Sequence, residues 1–142
     1  MLITKEFSFD SAHYLTDYYG KCEQMHGHTY WLKVTVEGKV QENGMVIDFA
    51  LLKQIVKNRI LNKLDHKMLN DIIPNPSAER IAIWIWNKLV DLRKLLKAEG
   101  GDPNMGENIR KMLKKSGFEK TMRLYEITLC ETEGSCVTYR GD

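Results

Sequence analysis

The chain has 142 residues, which is enough for a single folded domain with a substantial core. Hydrophobic residues make up 43% of it and charged residues 28%, as in ordinary globular proteins. The net charge of +2 argues against a dedicated nucleic-acid-binding protein, which would be far more basic. No apolar run approaches the roughly 18 residues of a membrane span, and the first residues have no signal-peptide pattern, so we expect a cytoplasmic protein without a membrane partner.

Two strands and a helix are predicted in the first half of the chain. Alternating polar and apolar residues indicate strands from Leu2 to Tyr14 and from His26 to Val40. Asp48 is a plausible N-cap for a helix that ends near Leu64. The apolar stripe of this helix recurs at helical spacing and consists of Leu52, Ile55, Val56, Ile60 and Leu64.

The second half predicts a longer helix and two further strands. Asn75-Pro76 is typical of an N-cap followed by a first-turn proline, and apolar residues then recur as far as Leu96. This helix is apolar on nearly all sides, which favours a subunit contact. Residues 108–115 could form a short basic helix, interpreted as a solvated excursion. Strands are expected from Arg123 to Thr132 and from Ser135 to Arg140.

The order of two strands, two helices and two strands predicts one α+β domain over residues 1–142, with a four-stranded antiparallel sheet. The three cysteines match no disulfide framework, and reduced thiols are the rule in the cytosol. Cys130 and Cys136 flank a predicted turn. We interpret them as small structural residues and do not expect a bond between them.

The most informative stretch runs from Cys22 to His28. If His26 begins a strand, His26 and His28 point to the same face, and Gly27 leaves the other face open. His13 ends the preceding strand, so pairing of the two strands would let three imidazoles converge on a zinc ion. Two alternatives stay open. A closed structural site would add Cys22 as fourth ligand, whereas an open catalytic site would leave that position to water or substrate.

Two further groups could support chemistry. Glu131 ends an apolar strand face, where a carboxylate is costly unless it is paired. It could bind Arg140 or a lysine, or it could accept the N–H groups of a 2-amino-4-oxo-pyrimidine ring. Asp65-His66 lies where the first helix ends and is interpreted either as an acid/base unit or as a structural pair. A nearby zinc or imidazolium would activate the Cys22 thiol as a base.

Together these motifs resemble the 6-pyruvoyltetrahydropterin synthase family. The matching features are Phe-x-x-Ala-His from Phe9 to His13, Cys-x-x-x-His-Gly-His from Cys22 to His28, Val46-Ile47-Asp48-Phe49, Leu64-Asp65-His66, Leu69-Asn70, and Glu131 before Tyr139-Arg140-Gly141. The most similar branch is that of the bacterial 6-carboxytetrahydropterin synthases of queuosine biosynthesis. The resemblance covers nearly the whole chain except residues 95–121, which look like an insertion.

The resemblance implies a tunnelling fold, in which trimers form β-barrels and two trimers stack into a homohexamer with active sites between subunits. The substrate would be 7,8-dihydroneopterin triphosphate. Family chemistry is loss of triphosphate with internal proton transfers, and the queuosine branch also releases acetaldehyde to leave 6-carboxytetrahydropterin.

Roles for individual residues follow from the same resemblance. It implies a zinc ion held by three imidazoles, those of His13, His26 and His28. Cys22 would be the catalytic base. Asp65 and His66 would complete the catalytic unit from a neighbouring subunit, and Glu131 would hold the pterin ring.

Glu23 departs from the pattern of the queuosine branch. It follows Cys22 directly, and some relatives carry a glutamate in place of the catalytic cysteine and form 6-hydroxymethyl-7,8-dihydropterin for folate synthesis. Both groups are present here, so a 6-pyruvoyltetrahydropterin synthase, a bifunctional enzyme and a solvated Glu23 all stay open. The non-enzyme alternative is a pterin-binding module with a closed structural zinc.

Overall fold

The computed structural model describes residues 1–16, 19–99, 107, 111 and 122–142. Within them, one sheet has the strand order β3-β1-β2-β4-β5. Its strands are β1 (Leu2–His13), β2 (His26–Glu37), β3 (Lys67–Met68), β4 (Arg123–Thr132) and β5 (Ser135–Tyr139). All neighbouring pairs are antiparallel except β1 with β3. The predicted α+β class is confirmed, but the sheet has five strands rather than four. The missed strand, β3, is too short to show an alternating pattern.

The described helices are α1 (Phe49–Val56), α2 (Asn62–Leu64), α3 (Ala78–Leu89) and α4 (Leu92–Glu99). A π-helical segment, Lys57–Leu61, joins α1 to α2. The predicted N-cap Asp48 is confirmed, because its side chain accepts hydrogen bonds from the amides of Ala50 and Leu51.

The predicted start and length of the second helix are wrong. Ser77, rather than Asn75, caps α3 by accepting from the amide of Arg80. Asn75 instead has a φ of +46°, a left-handed conformation that asparagine tolerates in loops. The helical pattern as far as Leu96 is divided between α3 and α4, because the chain turns at Val90 and Asp91, where the Asp91 carbonyl accepts the amides that start α4.

One face of the sheet is buried under the helices, and the other is open. Alternate residues of β1 and β2, such as Phe9 and Leu32, face the helices and are 2% and 0% exposed. α1 packs against β1, while α3 packs against β4 and β5. Residues between them, such as Trp31 at 53% exposed, face away. Each buried aliphatic or aromatic side chain contributes about 1.5–3 kcal/mol to the stability of this face.

Cys130 and Cys136 form a disulfide that joins β4 to β5, so the expectation of reduced thiols is wrong for this pair. The reason is the hairpin register. The turn at Glu133 and Gly134 places the two cysteines directly opposite each other, with Cα atoms 4.0 Å apart. Cys22 is a free cysteine.

Several expectations fall on other parts of the chain. The predicted basic helix over 108–115, apart from residue 111, and most of the predicted insertion over 95–121 lie outside the described residues, although α4 includes the first residues of that insertion. Among the residues that the structure describes, no helix combines the length and the apolar character needed to cross a membrane.

Replacement of the α1 cap tests the local energetics of this fold. Asp48→Ala removes the acceptor for the Ala50 and Leu51 amides, so we expect a loss of about 1 kcal/mol in unfolding free energy. Asp48→Asn keeps a side-chain oxygen and should lose much less. Urea denaturation of matched samples at one protein concentration measures both, and equal losses for the two variants would contradict the capping role.

Candidate functional site

Pairing of β1 with β2 brings three imidazoles together at one end of the sheet. His13 pairs with His26, and His28 pairs with Ser11. All three imidazoles therefore project from the face that packs against the helices. Their ring centroids lie 4.5–5.2 Å apart, and their ligand nitrogens lie within 4.8 Å of one another. The structure thus brings together the three histidines that spacing predicted to converge.

Two backbone carbonyls set the tautomers of two of these imidazoles. His13 Nδ1 lies 2.7 Å from the Pro76 carbonyl oxygen, and His26 Nδ1 lies 2.7 Å from the Gln24 carbonyl oxygen. A carbonyl can only accept, so each Nδ1 carries the hydrogen and each Nε2 of a neutral ring presents a lone pair. The two Nε2 atoms are only 3.0 Å apart.

Facing lone pairs repel unless a cation or a shared proton lies between them. A tetrahedral zinc ion with Zn–N bonds of about 2.05 Å would hold two ligand nitrogens about 3.3 Å apart. The observed separation of 3.0 Å is close to this value. Three imidazoles, two of them oriented by second hydrogen bonds, are also a typical zinc donor set. The residues therefore fit a metal ion.

Glu131 lies beside the imidazoles, with its Oε1 3.8 Å from His13 Nε2. Burial lowers the pKa of His28, the Glu131 charge partly opposes this, and the other two imidazoles add to it. The neutral imidazole keeps its lone pair available to a cation. Glu131 does not bind Arg140, because the Arg140 guanidinium pairs with Glu126 at 2.8 Å.

A cavity of about 280 Å³ opens next to Glu131, between the N-terminus of α3 and the β4–β5 hairpin. Its walls combine two acidic residues, Glu131 and Glu79, with small or apolar ones, among them Leu15, Ala78 and Val137. Such a mixture suits a flat ligand with polar edges.

Cys22 lies on a short 3₁₀ turn, Lys21–Glu23, in the loop before β2. The turn is attached to the end of β1 by a hydrogen bond from the Leu15 amide to the Cys22 carbonyl oxygen, at 2.8 Å. The Cys22 side chain is half-buried, and Glu23 beside it is exposed. Among the described residues, the group of mutually close ligand atoms contains the three histidines without the Cys22 sulfur.

Asp65 and His66 form a pair at the edge of β1. His66 Nδ1 lies 3.0 Å from Asp65 Oδ1. The Asp10 amide donates to Asp65 Oδ1 at 3.0 Å, and the Asp10 carbonyl oxygen accepts from the His66 amide at 2.6 Å. The amide of Asp10 and then the His66 side chain lower the pKa of Asp65, so this carboxyl stays ionised. His66 itself is 78% exposed and has a φ of +56°.

The pair and the imidazole cluster are separate groups within one chain. Asp10 and Thr29 alternate with the residues that face the helices, so they project from the open face. A groove of about 580 Å³ on this side is lined by Asp10, Thr29, His66 and Lys67, among others. His28 of the imidazole cluster also borders this groove.

Sequence reasoning missed the groups that orient these side chains. The Pro76 and Gln24 carbonyls are backbone atoms with no sequence signal. Asp10 has one signal that could have found it, because it occupies a variable position of the Phe-x-x-Ala-His motif, where strand alternation sends it away from the core.

The α+β fold thus presents three convergent imidazoles that fit a metal ion, with a carboxylate and a cavity beside them. Residues 2–101 match the family described as 6-pyruvoyl tetrahydropterin synthase, and the chain belongs to this family. Members of the family are lyases of pterin biosynthesis and act on pterin substrates.

Relatives within this family carry different names. A putative 6-carboxy-5,6,7,8-tetrahydropterin synthase of Archaeoglobus fulgidus is 40% identical over 106 residues, covering 72% of this chain and 90% of the relative. A dihydroneopterin monophosphate aldolase of Pyrococcus furiosus is 39% identical over 102 residues, covering 67% and 86%. The solved structure of Caenorhabditis elegans 6-pyruvoyl tetrahydropterin synthase has a TM-score of 0.71 and 26% identity, covering 100% of this chain and 96% of that one.

Acid should weaken the metal-free protein through His28. The pKa of His28 is lowered below its ordinary value of 6.5 in the folded state, so the unfolded state binds the proton more readily. The contribution of His28 to stability is therefore present above pH 6.5 and is lost as the pH falls below that value. We expect His28→Gln to reduce this acid sensitivity in chelator-treated protein, measured by urea denaturation between pH 5 and 8. Parallel pH profiles for the two proteins would contradict the assignment.

Proposed function

We propose that the chain is a zinc-dependent lyase that converts 7,8-dihydroneopterin triphosphate and one water molecule to 6-carboxy-5,6,7,8-tetrahydropterin, acetaldehyde and triphosphate, as in queuosine biosynthesis. The observation that carries this proposal is the pair of facing Nε2 lone pairs of His13 and His26, 3.0 Å apart and oriented by carbonyls. That arrangement calls for a cation, and the chain belongs to a pterin lyase family.

The zinc ion would be held by three imidazoles, those of His13, His26 and His28. Bound zinc supplies Lewis acidity, which makes C–H bonds next to a hydroxyl or carbonyl oxygen more acidic. Glu131 positions the substrate, because its two carboxylate oxygens match the adjacent N–H groups of a 2-amino-4-oxo-pyrimidine ring. With the ring in the adjoining cavity, the side chain of the substrate extends towards the imidazoles, since Glu131 borders both.

Cys22 and the Asp65–His66 pair transfer the protons in this proposal. Cys22, next to the end of β1, takes a proton from the substrate side chain as its thiolate. Asp65 holds the Nδ1 of His66, which leaves Nε2 of this exposed ring free to exchange a proton with the substrate. Because the pair and the three imidazoles form separate groups of close ligand atoms, we propose that the pair acts in the site of a neighbouring subunit.

A homohexamer of two stacked trimers would supply such shared sites. Two features of the described residues support side-by-side association of sheets. β3 pairs with β1 only at Ser11 and Ala12, and Asp10 is hydrogen-bonded to Asp65 and His66, so the part of β1 before Asp10 forms an outer edge of the sheet and β5 forms the other. If the β1 edge of one subunit paired with the β5 edge of the next around a threefold axis, the backbone groups of both edges would be hydrogen-bonded in a closed ring.

A second candidate product has its own supporting observation. Glu23 is exposed on the same 3₁₀ turn as Cys22, so a carboxylate and a thiol are adjacent in the loop. A relative in Pyrococcus furiosus is named as an aldolase. If Glu23 rather than Cys22 serves as base, the product is 6-hydroxymethyl-7,8-dihydropterin. Use of both bases would make the enzyme bifunctional, and a 6-pyruvoyl product is the remaining alternative.

Product identification tests the proposed reaction. Zinc-loaded protein should convert 7,8-dihydroneopterin triphosphate to 6-carboxytetrahydropterin, read by mass spectrometry, and chelation of zinc should abolish turnover reversibly. Cys22→Ala should remove this product, because no thiolate remains to accept the proton. Glu23→Ala is the matched control one residue away. If Glu23→Ala alone abolishes turnover and 6-hydroxymethyl-dihydropterin is the wild-type product, the second candidate is correct. No turnover by zinc-loaded hexamer would favour the pterin-binding module.

The role of Glu131 predicts a specific kinetic defect. Glu131→Gln replaces an acceptor oxygen by an amide donor that opposes the ring N–H groups, so we expect kcat/KM to fall about ten- to hundred-fold, mainly through KM. Glu133→Gln, an exposed carboxylate in the adjoining turn, is the matched control and should keep wild-type kinetics. A fall in kcat at unchanged KM would instead assign Glu131 to the chemical step.

A further inference from the structure

Asp10 holds the Asp65–His66 pair with its backbone alone. Its amide donates to Asp65 Oδ1 and its carbonyl oxygen accepts from the His66 amide, at 3.0 and 2.6 Å. Neither contact uses the Asp10 side chain. Any residue at this position could therefore place the pair, and the carboxylate of Asp10 is available for a different task.

The Asp10 carboxylate is oriented by the neighbouring strand. Thr29 is its register partner on β2, and the Thr29 hydroxyl donates to Asp10 Oδ1 at 2.5 Å. In this orientation a carboxylate oxygen of Asp10, a carboxylate oxygen of Asp65 and a ring nitrogen of His66 all lie within 4.8 Å of one another. Two carboxylates thus lie close to one imidazole.

Such an arrangement has a definite electrostatic preference. A carboxylate oxygen of each aspartate lies within 4.8 Å of a His66 ring nitrogen, so positive charge on the ring is attracted to both. Other charged or titratable groups near the pair are Lys67 on β3 and His28 on β2, which line the same groove. The carboxylate of Asp10 therefore adds to the attraction that Asp65 exerts on positive charge developing on the His66 ring during proton transfer.

We propose that Asp10, aligned by Thr29, is a positioning residue that stabilises the protonated His66 ring during proton transfer. This inference rests on the proposed function, in which the Asp65–His66 pair exchanges a proton with the substrate. Asp10 does not touch the substrate in this scheme. Its effect should therefore appear in kcat, with the metal site and substrate binding left intact.

The Asp10→Asn variant tests the proposal in the zinc-loaded enzyme. The substituted amide side chain keeps the size, the backbone contacts and an acceptor for Thr29, but it removes the charge. We expect kcat to fall about ten-fold, the effect of one nearby charge on a proton-transfer group, with KM within about two-fold of wild type. Glu6→Gln is the matched control, because Glu6 is an acidic residue on the same face of β1, paired with Lys33. It should keep wild-type kcat.

Variants of Thr29 provide a second measurement that does not change any charge. Thr29→Val removes the hydroxyl that aligns Asp10 and should lower kcat in the same direction, while Thr29→Ser should restore it. Zinc content and thermal unfolding should match wild type throughout. If Asp10→Asn does not fold, the comparison of Thr29→Val with Thr29→Ser tests the role of Asp10.

Each remaining outcome has a distinct meaning. Wild-type kcat in Asp10→Asn, an equal loss in Glu6→Gln, or a defect confined to KM would overturn the role of Asp10 while leaving the proposed function in place. Failure of the wild-type enzyme itself to form any pterin product would overturn the proposed function, and the role of Asp10 with it.

Discussion

The pairing of β1 with β2 is the interaction on which the rest of the structure depends. It runs without a register shift from Leu2 opposite Glu37 to His13 opposite His26. The same register stacks Phe9 on Tyr30, with ring centroids 5.0 Å apart, and brings the imidazoles together further along the same face. A slip of one residue would send every side chain of β1 to the opposite face. Core packing and metal-ligand geometry are therefore enforced by one constraint, and neither can be altered alone.

The two faces of this strand pair give their side chains different environments. On the helix-packed face, burial lowers the pKa of His28 and so favours its neutral imidazole, which is the form that binds a cation. At the edge and on the open face, Asp65 stays ionised through backbone hydrogen bonds and His66 is exposed to solvent. The same small sheet thus holds the three imidazoles on its helix-packed face and the exposed Asp65–His66 pair at its edge.

The parts of this structure that could be predicted from sequence are those with a repeating or spaced signal. Strand alternation and the His-x-His spacing predicted which face carries His26 and His28, and a capping residue before an apolar stripe located α1 at Asp48. The parts that could not be predicted depend on contacts distant in sequence. The Cys130–Cys136 bond follows from hairpin register, and β3 follows from the position of β1. The tautomer of His13 depends on a carbonyl 63 residues away.

The π-helical segment Lys57–Leu61 determines the orientation of the Asp65–His66 pair. Val56, Ile60 and Leu64 are each fully buried at a spacing of four, which in a regular α-helix would drift around the axis by about 40° per step. The wider π-helical turn compensates for this rotation and keeps all three side chains on the side of the sheet. It therefore also sets the direction in which the helix ends, so that Asp65 accepts a hydrogen bond from the Asp10 amide. Loss of one residue here would change none of the three histidines and neither member of the Asp65–His66 pair. It would nonetheless rotate the pair by about 100° and leave it pointing away from β1.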